Sequence, residues 1–369
     1  MKLSFLKTDL LNGINIVLKA VPSKTTMTIL ECILIDATSG EIKLMANDME
    51  LAIETKVKGE ILEAGRIAID AKIFSEIVRK LPDSEVLIEE YGNETIRISC
   101  EKANFQIVGK RGDDFAFMPQ IEREDYICLS QFTLKETIRQ TIFSIAANEN
   151  NKLMTGELFE ISGNSLRVVS MDGHRISIRH VELKDYYEEK KVVVPGKTLM
   201  EISRILTGDQ DSDVYIFFGK NYILFEFDDT LVLSRLIEGK YFQVDQMISN
   251  NYETKITVNK REFLDSIERS TLLIRESDKK PIILNVKDET MELSLNSFLG
   301  SMREEISIEK GGKDLMIGFN PRFLIDALRV IDDEEIDVYM INSKAPCFIR
   351  DENQSYIYLI LPVNFSTPR

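Results

Sequence analysis

The chain has 369 residues, of which 44% are hydrophobic, and a formal net charge of -15. That length predicts two or three domains with buried cores. No run approaches the 18 apolar residues of a membrane span, and the start, MKLSFLKTDLLNG, has an acid and an asparagine where a signal peptide needs an apolar core, so we expect a cytoplasmic protein without a membrane partner.

The acidic balance argues at first against a protein that binds nucleic acid. Exposed charges are screened beyond about 8 Å at physiological salt, so an acidic exterior can coexist with a basic surface elsewhere. The location of the basic residues therefore matters more than the total charge.

The first predicted unit is a strand end followed by an amphipathic helix, FLKTDLLNGINIVLKAV from Phe5. The same unit recurs as FTLKETIRQTIFSIAAN from Phe132 and as ITVNKREFLDSIERSTLLI from Ile256, and we take Lys7, Lys135 and Lys260 to mark its register. Alternating segments with Gly, Asn or Asp turns follow each copy and predict strands: EIKLMANDMELAIETKV, SLRVVSMDGHRISIRHV and TMELSLNSFLGSMREEISI.

A second unit follows in each copy, a strand, a helix, a turn and another strand. It reads RIAIDAKIFSEIVRKLPDSEVLIEE first, and it returns at equal intervals so that two sets of basic residues occupy equivalent positions: Lys72, Lys197 and Arg322 near the helix start, and Arg79, Arg204 and Arg329 near the helix end. The chain is thus predicted to contain three tandem repeats, with domains at residues 1–122, 123–250 and 251–369.

The pattern predicts an α+β fold with helices on one side of antiparallel sheets. Edge strands at the two ends of such a chain could pair with another copy and close a symmetric ring. The four cysteines, Cys32, Cys100, Cys128 and Cys347, are far apart in apolar stretches, so we expect neither a disulfide nor a metal site, and no cofactor.

One of the two histidines lies in VVSMDGHRIS, residues 168–177. No HExxH or His-x-x-x-His spacing accompanies His174, and GGKD at 311–314 lacks the other residues of a phosphate-binding loop, so we expect no catalytic residue. A tight turn explains the stretch better: Gly173 can adopt a positive φ, and Asp172 can accept hydrogen bonds from the turn backbone.

Five segments together carry a resemblance to a known family: GRIAIDAKIFSEIVRKLP, GELFEISGNSLRVVSMDGHRIS, VVVPGKTLMEI, IGFNPRFLIDAL and the terminal YLILPV. The sequence resembles the β sliding clamps, the beta subunits of bacterial DNA polymerase III, along nearly its whole length. The resemblance implies a head-to-tail homodimer of three-domain chains closed around duplex DNA, with helices lining the hole and sheets outside. It implies DNA binding without sequence preference, and the replicative polymerase, the clamp loader and other clamp-binding-motif proteins as partners.

The resemblance also implies roles for particular residues. The partner-peptide groove would comprise Met154, Met171, Gly173, His174, Arg175, Ile176, Phe242, Leu359, Ile360, Leu361, Pro362 and Val363. DNA contacts would come from Lys24, Arg79, Asn148, Lys152, Arg204 and Arg329. The dimer interface would place Phe105 and Ile107 of a first-domain strand against a third-domain helix bearing Leu273 and Ile274.

Each of these roles has a plainer alternative. Basic side chains at helix ends also stabilise the helix dipole, Ile176 and Leu361 also suit an ordinary core, and NFQIVG also suits an ordinary edge strand. Phe242 and Gln246 stand where many relatives have Pro and Arg, and Asn364 stands where Arg is common, which predicts an altered groove. Two rival functions remain at this point, a monomeric repeat scaffold that binds only proteins and a hydrolase centred on His174.

Overall fold

The computed structural model describes residues 1–92, 94–115, 119–147, 151–275 and 280–365. Two compact units divide the chain, Met1–Leu134 with Met200–Leu236 and Lys135–Leu199 with Ile237–Arg369. In the described residues, no helix has both the length and the apolar character needed to cross a membrane.

The helices begin directly after strands, as the repeat predicts. They are α1 (Lys7–Val17), α2 (Ala71–Lys80), α3 (Gln131–Thr141), α4 (Gly196–Ile205), α5 (Lys260–Thr271) and α6 (Pro321–Val330). Side chains cap several starts: Asp70 accepts a hydrogen bond from Ile73 N at 2.8 Å, and Asn320 accepts one from Arg322 N at 3.1 Å, ahead of Pro321 at the first helical position.

The predicted register is confirmed for the second unit of each repeat and wrong in one copy of the first. Lys72, Lys197 and Arg322 are each the second residue of their helices α2, α4 and α6. Lys7 and Lys260 begin α1 and α5, but Lys135 lies one turn inside α3, which begins at Gln131. The equivalent positions are marked better by Leu10, Leu134 and Phe263, the fourth residue of each helix, all of which are buried.

The strands are short except for one long hairpin in the second domain. They are β1 (Lys2–Leu6), β2 (Cys32–Asp36), β3 (Lys43–Asn47), β4 (Leu51–Lys56), β5 (Glu60–Glu63), β6 (Arg66–Asp70), β7 (Glu85–Tyr91), β8 (Thr95–Cys100), β9 (Ala103–Val108), β10 (Lys110–Arg111), β11 (Tyr126–Ser130), β12 (Gly156–Met171), β13 (Arg175–Pro195), β14 (Asp213–Phe218), β15 (Tyr222–Phe227), β16 (Thr230–Arg235), β17 (Thr254–Asn259), β18 (Ile282–Lys287), β19 (Thr290–Ser297), β20 (Gly300–Ser307), β21 (Glu309–Gly312), β22 (Leu315–Phe319), β23 (Glu335–Met340), β24 (Cys347–Arg350) and β25 (Tyr356–Ile360).

Every strand pair in the described residues is antiparallel, which confirms the predicted sheet type. The first unit contains a five-stranded sheet, β5-β1-β7-β8-β9, and a nine-stranded sheet, β10-β6-β2-β3-β4-β16-β15-β14-β11. The second unit contains a seven-stranded sheet, β12-β13-β25-β24-β23-β17-β21, and a four-stranded sheet, β20-β19-β18-β22.

Continuous sheets join successive repeats. β4 of the first repeat pairs with β16 of the second, where Thr55 and Thr230 share a buried hydroxyl hydrogen bond of 2.9 Å. The start of β13 in the second repeat pairs in the same way with β25 of the third, with Ile176 opposite Leu359. Both junctions thus bury strand edges that would otherwise be open.

Two edges of the same kinds remain unpaired among the described strands. β20 corresponds in the repeat to β4 and to the start of β13, and it has only β19 as a neighbour. β9 corresponds to β16 and β25, the third strand after the second helix of a repeat, and it has only β8 as a neighbour. The first and third repeats therefore each leave open one of the two strand edges that pair with each other at the internal junctions.

Candidate functional site

The DGH turn connects β12 to β13 and has the predicted conformation. Gly173 adopts φ +87° with no atom near the position of a Cβ, and one carboxylate oxygen of Asp172 accepts hydrogen bonds from the backbone N–H of His174 at 2.9 Å and of Arg175 at 3.2 Å. The turn presents His174 at the surface. Its position suits contact with a partner.

The His174 side chain stacks on an aromatic ring and has no polar partner within the described part of the chain. Its ring lies 6.0 Å from that of Phe323, with 22° between the planes. Its carbonyl accepts a hydrogen bond of 2.9 Å from Leu361 N, which attaches the C-terminal segment to the turn. No group of three or more metal-binding side chains occurs in the residues that the structure describes. His174 and Phe323 thus present a pair of stacked rings beside the DGH turn.

Arg175 is held by three separate elements. Its guanidinium donates to Asp172 Oδ2 at 3.0 Å, to Asp326 Oδ2 at 2.6 Å and to the carbonyl oxygen of Phe143 at 2.6 Å. The guanidinium carbon also lies 4.6 Å from the centroid of the Phe323 ring. Only 11% of the side chain is exposed. Arg175 is thus part of the packed structure beneath the turn.

A cleft of about 400 Å³ opens beside His174 and lies mostly between elements of the third domain. Its walls come from the end of α5 and the residues after it, the start of α6, the C-terminal segment and His174. The lining residues are His174, Thr271, Ile274, Lys280, Pro281, Asn320, Pro321, Arg322, Phe323 and Val363. Only His174 and Val363 among them were predicted for the groove. Phe323, which follows the helix-capping Asn320 in the IGFNPRFLIDAL segment, was missed because no spacing in the sequence places it beside His174.

The other apolar groove residues belong to a hydrophobic cluster. Its buried members include Met171, Ile176 and Leu359, and Met154, Phe242 and Leu361 pack on it while partly exposed. The buried residues form a floor and the partly exposed ones a surface that a ligand side chain can reach. Ile176 therefore fits the plainer alternative of a core residue.

Ile360 requires a correction. Alternate residues of β25 face opposite sides of the sheet, so Ile357 and Leu359 join the cluster below the groove, whereas Tyr358 and Ile360 join the core of the third domain. Ile360 is 1% exposed and forms no part of the groove wall. Pro362 and Val363, which follow β25, are partly exposed, and Val363 N bonds to Gly318 O at 2.8 Å.

The altered positions near the groove have local partners. Phe242 is partly buried, and its ring packs edge-on against Tyr241 at 5.6 Å. Gln246 is exposed on the following 3₁₀ turn and bonds to Gln243 at 2.7 Å. Asn364 is exposed. An aromatic ring thus stands where many relatives have Pro, and a neutral amide stands where they have Arg.

The residues predicted to contact DNA differ in how their charges are paired. Lys24, Arg79 and Lys152 are exposed and have no ion pair within the described ranges. Arg204 pairs with Glu201 at 2.6 Å and Arg329 with Glu268 at 2.7 Å, so their charges are partly neutralised. Asn148 lies outside the described residues.

The predicted dimer residues also differ in exposure. Phe105 on the edge strand β9 is 38% exposed, and Ile107 is partly buried. Leu273 and Ile274 do not lie on a helix, because α5 ends at Thr271; both pack against the core of their own domain, and Ile274 lines the cleft. Their neighbour Leu272 is 78% exposed and was missed, because helical spacing alone does not locate the end of α5.

A buried carboxyl lies close to the groove. Glu157 on β12 is fully buried, and neither of its oxygens forms a hydrogen bond with a described residue. Burial raises the pKa of Glu157 to about 8, against a weaker opposing influence of the Thr141 hydroxyl, which donates its own hydrogen to Thr137 O at 2.7 Å. Burial also raises the pKa of Tyr241, with a smaller contribution from Glu157, so the carboxyl and the groove cluster influence each other.

Comparisons with known proteins place this arrangement. Models of the three domains of the DNA polymerase III beta subunit match in order, the N-terminal domain at residues 1–119, the central domain at 128–243 and the C-terminal domain at 245–364. The Beta sliding clamp of Staphylococcus epidermidis is 34% identical over 364 residues, 96% of either chain. The chain belongs to the β sliding clamp family.

Solved clamp structures agree with this assignment. The sliding clamp of Bacillus subtilis is 34% identical with a TM-score of 0.96, and the match covers 99% of this chain and 100% of that one. The beta subunit of Streptococcus pyogenes DNA polymerase is 26% identical with a TM-score of 0.94 over the same shares. The fold is therefore the predicted one, an α+β arrangement of three tandem clamp domains.

Membership of the clamp family also settles the broad function. The chain is a processivity factor, the beta subunit of DNA polymerase III, and the family is non-catalytic. Neither the hydrolase centred on His174 nor the monomeric scaffold matches this family.

Proposed function

We propose that two copies of this clamp, each with repeats at 1–122, 123–250 and 251–369, close head to tail around duplex DNA. Closure would hold a polymerase on its template by enclosure, without catalysis by the chain itself, in the cytoplasm. One observation carries the proposal. The two internal junctions pair β4 with β16 and the start of β13 with β25. The equivalent strands, β20 in the third repeat and β9 in the first, each have an open edge.

Pairing β9 of one copy with β20 of another would repeat the internal junction between chains. In a closed pair of copies, two such contacts use both open edges of both chains and leave no edge free. Exposed apolar side chains surround these edges: Phe105 and Val108 on β9, and Leu272, Phe298 and Leu299 near β20. Phe298 is 93% exposed, which is unusual unless a partner covers it.

DNA held by such a ring needs only weak contacts with its phosphates. Exposed Lys24, Arg79 and Lys152 supply mobile positive charge without base readout. The pairing of Arg204 and Arg329 with carboxylates keeps the attraction modest, which suits sliding. The overall charge of -15 opposes tight binding elsewhere on the surface.

The groove is proposed to bind short peptide segments of the replicative polymerase, the clamp loader and other replication proteins. Leucine and aromatic anchors of such a segment would enter the cleft beside Phe323 and cover Met154 and Leu361, each contributing roughly 1.5–3 kcal/mol of apolar transfer. Methionine adapts to several partners. Phe242 adds a flat aromatic surface where many relatives have Pro.

Retention on DNA tests enclosure directly. Clamp loaded onto a closed circular duplex should remain with it through gel filtration, and cutting the circle once should release nearly all of the protein, because a topological link needs a closed path. Light scattering of the free protein should give the mass of two chains. Equal retention on circular and linear DNA, or the mass of one chain, would favour a protein-binding scaffold instead.

The unpaired charge of Arg79 predicts a difference among the helix-end arginines. Arg79→Ala should reduce the slope of log affinity against log salt concentration by about 1 for linear duplex DNA, because one phosphate contact is lost. Arg204→Ala should reduce that slope by less, since Glu201 already neutralises part of its charge. Anisotropy titrations across a salt series measure both slopes. Equal slopes for the two variants would contradict the assignment.

A further inference from the structure

Arg175 connects the DGH turn of the second domain to α6, the third-domain helix whose first turn lines the cleft. Three of its five N–H groups are already used, by Asp172 in the turn, by Asp326 on α6 and by the Phe143 carbonyl just after α3. The guanidinium also covers the face of Phe323 at 4.6 Å. A peptide could therefore reach few of its donors.

The partners of Arg175 include the residues that shape the cleft. Asp326 lies one helical turn after Phe323 on α6, so the ion pair at 2.6 Å pulls the helix face that carries Phe323 toward the DGH turn. Phe323 in turn stacks on His174 at 6.0 Å, and both rings line the cleft. Arg175 and Asp326 themselves are absent from the cleft lining, and the Arg175 side chain is 11% exposed.

We infer that Arg175 is a positioning residue for partner peptides, which acts through Asp326 by holding Phe323 against His174, and that Asp326 shares this role without touching the ligand. The inference rests on the proposed peptide-binding function of the groove. It departs from the expectation by resemblance, which makes Arg175 a direct contact. A lysine could not replace it, because an ammonium lacks the planar fork that serves three acceptors in different directions.

Peptide affinity distinguishes the two roles. The probe is a short fluorescein-labelled peptide with leucine and phenylalanine anchors, titrated with the full-length clamp. Arg175→Ala and Asp326→Asn should each weaken peptide binding about tenfold. The double variant should bind only marginally more weakly than the poorer single variant, because both substitutions remove the same ion pair. Arg179→Ala is the matched control: Arg179 lies on the same strand and bonds to Ser355 across the same junction at 2.8 Å, away from the cleft.

A second readout needs no peptide. The chain has only two histidines, so a carbon-edited NMR spectrum of histidine-labelled protein gives one ring signal for His174 and one for His180, which bonds to Gln354 O. Loss of Phe323 stacking should move the His174 signal in both Arg175→Ala and Asp326→Asn and leave the His180 signal in place. Circular dichroism checks that each variant is folded, and Asp326→Asn tests the inference even where Arg175→Ala does not fold.

The outcomes separate the inference from the proposed function. An Asp326→Asn clamp with unchanged peptide affinity and an unchanged His174 signal overturns the positioning role, as do additive losses in the double variant. Failure of the unaltered clamp to bind the peptide counts against the proposed groove. The His174 signal would still decide, in that case, whether Arg175 and Asp326 hold the stacked rings.

Discussion

Leu272→Asp is expected to leave the clamp as a monomer and to abolish its retention on circular DNA. Leu272 follows α5 near the open edge of the third domain, and 78% of it is exposed, so the substitution leaves the core of its own domain intact. The proposed dimer has two identical contacts, so two aspartates would be buried without a partner, at a cost of about 3–5 kcal/mol each. The two contacts together correspond to a dissociation constant weaker by a factor of roughly 10⁴ to 10⁷.

Phe105→Asp on β9 should have the same effect from the other side of the contact. Leu62→Asp is the matched control, because Leu62 is an exposed apolar residue on β5, the opposite edge strand of the same five-stranded sheet. Light scattering over a dilution series gives the dimer dissociation constant, and gel filtration with circular DNA gives retention. A dimer that survives both substitutions, or one disrupted equally by Leu62→Asp, would exclude the proposed pairing of β9 with β20.

These variants differ from the ones that the sequence alone would suggest, and the reason is local. Leu273 and Ile274 continue the apolar spacing of α5, so the pattern extends the helix through them, yet the chain turns after Thr271. Both then fold back onto their own core. Substituting Leu273 or Ile274 would affect the folding of the third domain as well as dimer closure, whereas substituting Leu272 affects closure alone.

The repeat was predictable because it depends on helix and strand periodicity, which each copy satisfies by itself. Lys72, Lys197 and Arg322 occupy the same helical position as expected, since buried side chains on each helix fix its rotation. Lys135 is a poor marker of the register, because a basic side chain tolerates a shift of one helical turn that the buried Leu134 does not.

The groove was predictable only in part, because its two walls come from segments distant in the chain. The DGH turn has a local signal in Asp172 and Gly173, and the structure has the expected hydrogen bonds and positive φ. The opposite wall depends on the contact of Phe323 with His174, which no spacing in the sequence encodes. Alternation along β25 could have excluded Ile360, since it shares a face with Tyr358.

Glu157 was missed for a related reason: a glutamate among apolar residues on a strand ordinarily faces solvent. Here the side chain is fully buried, and its carboxyl forms no hydrogen bond with any described residue. Such a group is expected to reduce the stability of the fold unless it remains protonated.

The free energy of unfolding of the clamp should therefore decrease as pH rises from about 4.5 to about 8. Glu157→Gln should remove the part of this decrease that comes from residue 157. The unfolded chain releases this proton near the ordinary pKa of 4.5, whereas burial raises the pKa of folded Glu157 to about 8. Between those values the folded state holds the extra proton, so the free energy of unfolding falls by up to about 1.4 kcal/mol per pH unit from this group. Above the folded pKa both states are ionised, and its contribution levels off.

Urea unfolding of both proteins across this pH range measures the effect, because the difference between the two curves isolates residue 157 from every other titrating group. Glu157→Gln should gain stability relative to the unaltered clamp by on the order of 4 kcal/mol between the two ends of the window. Glu188→Gln, an exposed glutamate on β13, is the control and should keep the original pH dependence. A difference curve that is flat with pH would mean that Glu157 finds a polar partner or ionises freely, and its burial would then carry no cost.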